Sequence, residues 1–67
     1  MNNKIEELRK KGNMKQGDFA KAIGVTRQTV SSIERGKSNP SLELAFIIAA
    51  FFGKSIGDIF IYERSKK

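Results

Sequence analysis

The residues of this chain best suited to chemistry are hydrogen-bonding and cationic, and they cluster. The stretch Thr26 to Arg35 reads TRQTVSSIER. At ~100° per residue, a helix there would gather Gln28, Ser31, Ser32 and Arg35 on one side, with Thr26 and Arg27 where it begins. Val30 and Ile33 fall on the opposite, apolar side, with Val25 just ahead of them. A polar, partly cationic helix face suits the edges of nucleic-acid bases. Arg27 could donate two hydrogen bonds to guanine, and Gln28 could pair with adenine. Ser31 and Ser32 are short enough for a base edge, a phosphate or a thymine methyl. Thr26, Arg35 and Lys37 could hold the phosphate backbone and set the register. The loop Gly36–Lys37–Ser38–Asn39–Pro40 adds backbone N–H groups that, with Lys37 and Asn39, could hold a phosphate beside the groove.

Other chemistries find little support. The 67 residues contain no histidine and no cysteine. That removes the commonest metal ligand, the commonest general base at neutral pH, any disulfide and any thiolate zinc site. No glycine-rich phosphate cradle appears and the carboxylates are scattered. No catalytic residue, metal ligand or cofactor is therefore nominated, and the chain reads as a non-enzyme. The formal charge is +6. Residues 1–40 carry nine Lys/Arg against four Asp/Glu, and residues 41–67 carry four against three. Such a charge would by itself keep a small protein soluble, but its position beside the polar face favours a polyanion through counterion release. The opening MNNKIEELRKK lacks the apolar core of a secretory signal. The longest apolar run, Leu44 to Phe52, has nine residues against the ~20 of a membrane-spanning helix. The expectation is a cytoplasmic domain with no membrane association.

Five helices would position the polar face. Asn3 to Lys11 forms the first, with Ile5 and Leu8 inward and Gly12–Asn13 closing it. Gln16 to Ile23 forms the second, with Phe19, Ala20 and Ile23 inward. Gly24 then permits the turn. Thr26 caps the third, Val25 and Val30 occupy hydrophobic-staple positions, and Gly36 closes it. The fourth runs from Leu42 to Phe52, capped by Ser41 or by Asn39 with Pro40 at the first helical position. Ser55, with Asp58 three residues on, resembles a capping box for a short fifth helix, with Ile56, Ile59 and Phe60 inward. Residues 1–60 thus form the domain. Residues 61–67 are a tail in which Ile61 to Ser65 alternates in a β-prone way, as a short strand or a frayed end.

Helix four has one polar residue, Glu43. Leu42, Ala45, Ile48, Ala49 and Phe52 form a stripe that fits the core. Leu44, Ile47 and Phe51 form a second on the far side. So short a chain cannot bury both, so the second stripe predicts a partner surface, most simply a twofold homodimer.

The marks Gln16, Phe19–Ala20, Ile23–Gly24–Val25, Thr26, Gln28, Val30, Ile33–Glu34, Gly36–Lys37 and Asn39–Pro40 together resemble the lambda-repressor/Cro-like helix-turn-helix family, also called the xenobiotic-response-element type. The resemblance extends from Ile5 to Phe60. Within the family, the chain is most similar to minimal homodimeric repressors without a separate dimerisation domain, such as the small cytolysin-operon repressors. The family implies an all-α, compact five-helix DNA-binding domain that enters the major groove. It implies base contacts at Thr26, Arg27, Gln28 and Ser32, and a Gln16 that reaches a phosphate and braces the reading helix. It also implies a structural ion pair between Arg9 and Glu34, which agrees with Glu34 lying at the edge of the buried face. The family's smallest members suggest a tail strand that pairs in the dimer. Two departures stand out: Lys15 replaces the usual Ser or Thr cap of helix two, and Gly17 a first-turn glutamate. The expected partner is double-stranded DNA, bound as a homodimer on an inverted repeat, with no small-molecule effector evident. The same fold also serves antitoxins, which would add a toxin as a protein partner.

Overall fold

In the computed structural model, residues 2–61 are described. Strand β1 (Asn2–Asn3) is followed by helices α1 (Ile5–Lys11), α2 (Gln16–Ile23), α3 (Arg27–Glu34), α4 (Leu42–Phe52) and α5 (Ile56–Ile59), and strand β2 (Phe60–Ile61) closes the order. The core draws on every helix. Ile5, Phe19, Ala20, Ile23, Val30, Ile33, Ala45, Ile48, Ala49, Ile59 and Phe60 form one buried cluster, with Leu8, Met14, Val25, Leu44, Phe52 and Ile56 packed around it.

Local chemistry explains where the helices start and stop. Thr26 and Ser41 accept hydrogen bonds from the backbone N–H groups of Thr29 and Leu44, each satisfying a first-turn donor. Ser41, not Asn39, is therefore the α4 cap. Ser55 and Asp58 make a reciprocal capping box for α5. Lys15 makes no side-chain cap at α2, as its chemistry requires. Gly24 closes α2 at φ 81°, which brings the Val25 N–H to the Ala20 carbonyl at 2.9 Å. At the end of α1 it is Asn13, not Gly12, that takes the positive φ.

Three expectations need correction. Helix one does not include Asn3. That residue lies in β1, and its Oδ1 accepts from the Ile5 N–H at 3.1 Å, a local bond that favours the start of a helix over its interior. The C-terminal strand pairs within its own chain, Asn2 with Ile61 and Asn3 with Phe60, antiparallel. The rest of the expected Ile61–Ser65 strand lies outside the described residues. On α4, Leu42 is not in the core stripe but 71% exposed, and Leu44 is half-buried against the core, not outward. The buried arc is centred between Ala45 and Ile48, so the outward face carries Leu42, Phe46, Ile47 and Phe51. Two stripes set opposite each other on the wheel misorient this arc and omit Phe46. Phe51 lies at the edge of this face, in T-shaped contact with Phe19 at 5.4 Å.

Candidate nucleic-acid interface

Helix α3 buries Val30 and Ile33 and turns its other side outward. Arg27 and Gln28 occupy its first turn, both exposed. Thr26 just before them is committed to the cap, its Oγ1 taking the Thr29 N–H at 3.1 Å and meeting Thr29 Oγ1 at 2.9 Å. Thr29, which sequence reasoning did not single out, thereby stiffens the helix start. Two shallow concavities adjoin here. One is lined by Gln16, Arg27, Gln28, Ser31 and Arg35; the other by Arg9, Lys15, Gln16, Gly17, Asp18 and Arg27. Gln16 and Arg27 belong to both, so one polar surface runs from the start of α2 along α3.

That surface is held from behind by a buried ionic cluster. The Arg9 Nε donates to Glu34 Oε2 at 2.8 Å and its Nη2 to Glu34 Oε1 at 3.1 Å, a two-point contact, while Nη1 donates to the Met14 carbonyl at 2.7 Å. The two side chains are 8% and 3% exposed. Hydrogen bonding to Glu34 holds the guanidinium pKa above its ordinary value, against the opposing effect of burial. Gln16 Nε2 donates to Glu34 Oε1 at 3.0 Å. An amide nitrogen carries two hydrogens, and this bond uses one of them. The cluster joins α1, α2 and α3 through one carboxylate and leaves no buried side-chain polar atom unsatisfied among the described residues.

The loop after α3 differs from expectation. Its backbone N–H groups are turned inward: Gly36 to the Ile33 carbonyl at 3.0 Å, Lys37 and Ser38 to that of Ser32 at 3.0 and 3.4 Å. Gly36 at φ 75° makes this closure possible. These three N–H groups are therefore occupied within the chain, and the Lys37 side chain is exposed. The Ser38 hydroxyl donates to Ser32 Oγ at 3.0 Å, tying Ser32 to the loop. Asn39 is exposed and lines a different concavity, an apolar groove, with Pro40, Leu42, Ala45, Ile56 and Phe60. Thus Gln16, Arg27, Gln28, Ser31 and Arg35 come together, Ser32 and Lys37 sit at the far end of α3, and Asn39 lines the apolar groove.

No helix among the described residues is long and apolar enough to cross a membrane, and no group of potential ligands there could hold a metal ion. A helix-turn-helix family model matches residues 5–59. An HTH-type transcriptional regulator of Methanocaldococcus jannaschii is 57% identical over 63 residues, covering 94% of this chain and 96% of that protein. The cryptic phage CTXphi transcriptional repressor RstR of Vibrio cholerae is 34% identical over 84% of this chain and 50% of its own length. The antitoxin PezA of Streptococcus pneumoniae is 40% identical over 82% of this chain and 35% of its own length. With two helices meeting at Gly24, the second capped and polar outward, and a family match across nearly all of its length, the chain belongs to the lambda-repressor/Cro-like helix-turn-helix family of DNA-binding transcription regulators.

Proposed function

We propose that this regulator is a repressor that reads an inverted-repeat operator as a homodimer, with α3 in the major groove. The observation that carries the proposal is the exposure of Arg27 and Gln28 together in the first turn of a helix whose other side is locked into the core. A helix-turn-helix of this kind points the N-terminal residues of its second helix at base edges. Arg27 donates to guanine O6 and N7, Gln28 pairs with adenine, and Ser31 and Ser32 supplement them. Gln16, Thr26, Arg35 and Lys37 hold phosphates, and the excess of cations in residues 1–40 supplies the sequence-independent attraction. Asn39, exposed in the loop after α3, adds a phosphate contact beside the groove. Two copies joined through the outward face of α4 would present two α3 helices about one DNA turn, ~34 Å, apart. Repression follows by occlusion of a promoter.

The test is selection from random duplex DNA followed by titration of the selected site. An inverted repeat with half-sites one turn apart is expected. Gln28→Ala should cost ~1–3 kcal/mol of specific binding and relax the preference at one base position. Selection that enriches no sequence would refute the reading.

A second reading is favoured by the likeness to an antitoxin and by the apolar face of α4. In it the domain still binds DNA, and that face also holds a toxin protein. A small toxin-like gene adjacent on the chromosome, whose product co-purifies with this chain, would select it over the first.

A further inference from the structure

We propose that Asn3 is a positioning residue for groove reading, setting the angle at which α3 meets DNA. The proposal rests on the reading of α3 as the helix that senses base edges. Asn3 Nδ2 donates to the Ile33 carbonyl at 2.8 Å, across 30 residues of sequence. That carbonyl is in the last turn of α3 and already accepts from Gly36. The Asn3 backbone is itself fixed. It lies in β1 opposite Phe60 of β2, and the next residue, Lys4, donates its N–H to the Ile59 carbonyl at 2.8 Å. One side chain therefore fastens the end of the reading helix to the small sheet formed by the two ends of the described chain.

Helix α3 behaves as a lever. Its C-terminal end is held at two points, the Ile33 carbonyl by Asn3 and the Glu34 carboxylate by Arg9 and Gln16. The residues that face bases, Arg27 and Gln28, sit at the other end. Eight residues span ~12 Å, so a ~10° tilt about the held end moves the reading end by ~2 Å. Hydrogen bonds to base edges work within a few tenths of an ångström of 2.9 Å. A tilt of that size removes them and leaves long-range attraction to phosphates intact. Val30 and Ile33 seat the buried face of the helix in the core, and the contacts at Glu34 and at the Ile33 carbonyl fix the end remote from the reading residues.

The test uses Asn3→Asp. Asp keeps an oxygen for the Ile5 N–H, so α1 keeps its local bond, but it sets a carboxylate oxygen against the Ile33 carbonyl where a donor stood. Affinity is measured by fluorescence anisotropy for the site selected with the unaltered protein and for unrelated duplex DNA, across a salt series, with circular dichroism and thermal melting alongside. The expected result in a folded protein is a loss roughly ten-fold larger on the selected site than on unrelated DNA, which loses only what one added negative charge removes, with the salt slope unchanged. A merely structural Asn3 would lower the melting temperature and leave the ratio of specific to nonspecific affinity where it was; that result overturns the proposal. Should Asn3→Asp not fold, Asn3→Ser, which keeps a hydroxyl for Ile5 but is too short for Ile33, is read the same way. Gln28→Ala separates the two levels. If it loses specificity while neither Asn3 variant does, Asn3 has no positioning role. If Gln28→Ala also leaves specificity intact, base reading by α3 itself fails.

Discussion

Glu34 accepts from Arg9 twice and from Gln16 once, and so one carboxylate links three helices. Its side chain is nearly inaccessible, so removal of its partner strands a charge in the interior. Arg9→Met should destabilise the fold by ~3–5 kcal/mol in urea titration, a large share of what so small a domain possesses. Adding Glu34→Leu to that variant should restore part of the loss, because it removes the stranded carboxylate, while the Met14 carbonyl and the Gln16 amide still lack the bonds they had to Arg9 and Glu34. A double variant no more stable than the single one would mean that Glu34 is not the source of the penalty. The resemblance pointed to this pair, and the helical wheel agreed by placing Glu34 beside Val30. The Asn3 bridge to Ile33 was not legible in the same way. Its two ends are 30 residues apart, one of them is a backbone carbonyl, and no pattern of side-chain types encodes such a contact. Asn before a helix did carry a local signal, as a residue that favours helix starts over helix interiors, and assigning Asn3 to helix one passed over it.

Among the elements, chemical markers and apolar spacing both locate helix ends: α2 has its expected bounds although Lys15 makes no cap. Thr26, Ser41 and Ser55 supply caps, Gly24, Gly36 and Gly53 supply closures at positive φ, and the helices between them begin and end where these residues place them. Two-residue strands have no periodicity to betray them, and β1 escaped notice for that reason. On α4 the difficulty was different: with Glu43 its one polar residue, its wheel had too little contrast to orient the buried arc, so Leu42 and Leu44 were misplaced. The α5 capping box yields a pH prediction. Hydrogen bonding from Ser55, by its side chain first and then its backbone, holds the Asp58 carboxyl below its ordinary pKa. A group depressed in the folded state stabilises above its unfolded pKa of ~3.9 and loses that effect as pH falls through the folded value. The stability difference between the native chain and Asp58→Asn should therefore be constant from neutral pH down to about 5 and shrink below about 4. A difference that persists undiminished at pH 2 would rule out the carboxylate as its origin.

For the whole molecule, the outward face of α4 dominates. Leu42 and Phe46 are 71% and 58% exposed, and Ile47 and Phe51 extend the same face. Apolar side chains aligned on one helix face, in a domain with so little core, favour association. Phe46→Asp should sediment as a monomer and bind its operator far more weakly, since a single half-site loses the second helix's contribution. Because Phe46 lies outside the buried cluster, the monomer should keep its helical spectrum. A Phe46→Asp protein that still sediments as a dimer would move the association surface elsewhere. The sequence indicated that α4 has more apolar surface than one domain can cover; which residues remain outside depended on how α5 and β2 fold back, which no local pattern specifies.

The antiparallel match of Asn2 with Ile61 brings the beginning and the end of the described fold to a common seam. A covalent stitch there would tether almost the entire polypeptide into a ring. A disulfide from Asn2→Cys and Ile61→Cys, in a protein with no other thiol, would restrict the unfolded chain by an amount on the order of 4 kcal/mol. The melting temperature under oxidising and reducing conditions would report that gain, and an unchanged value with the bond formed would mean that strain in the closed seam offsets it.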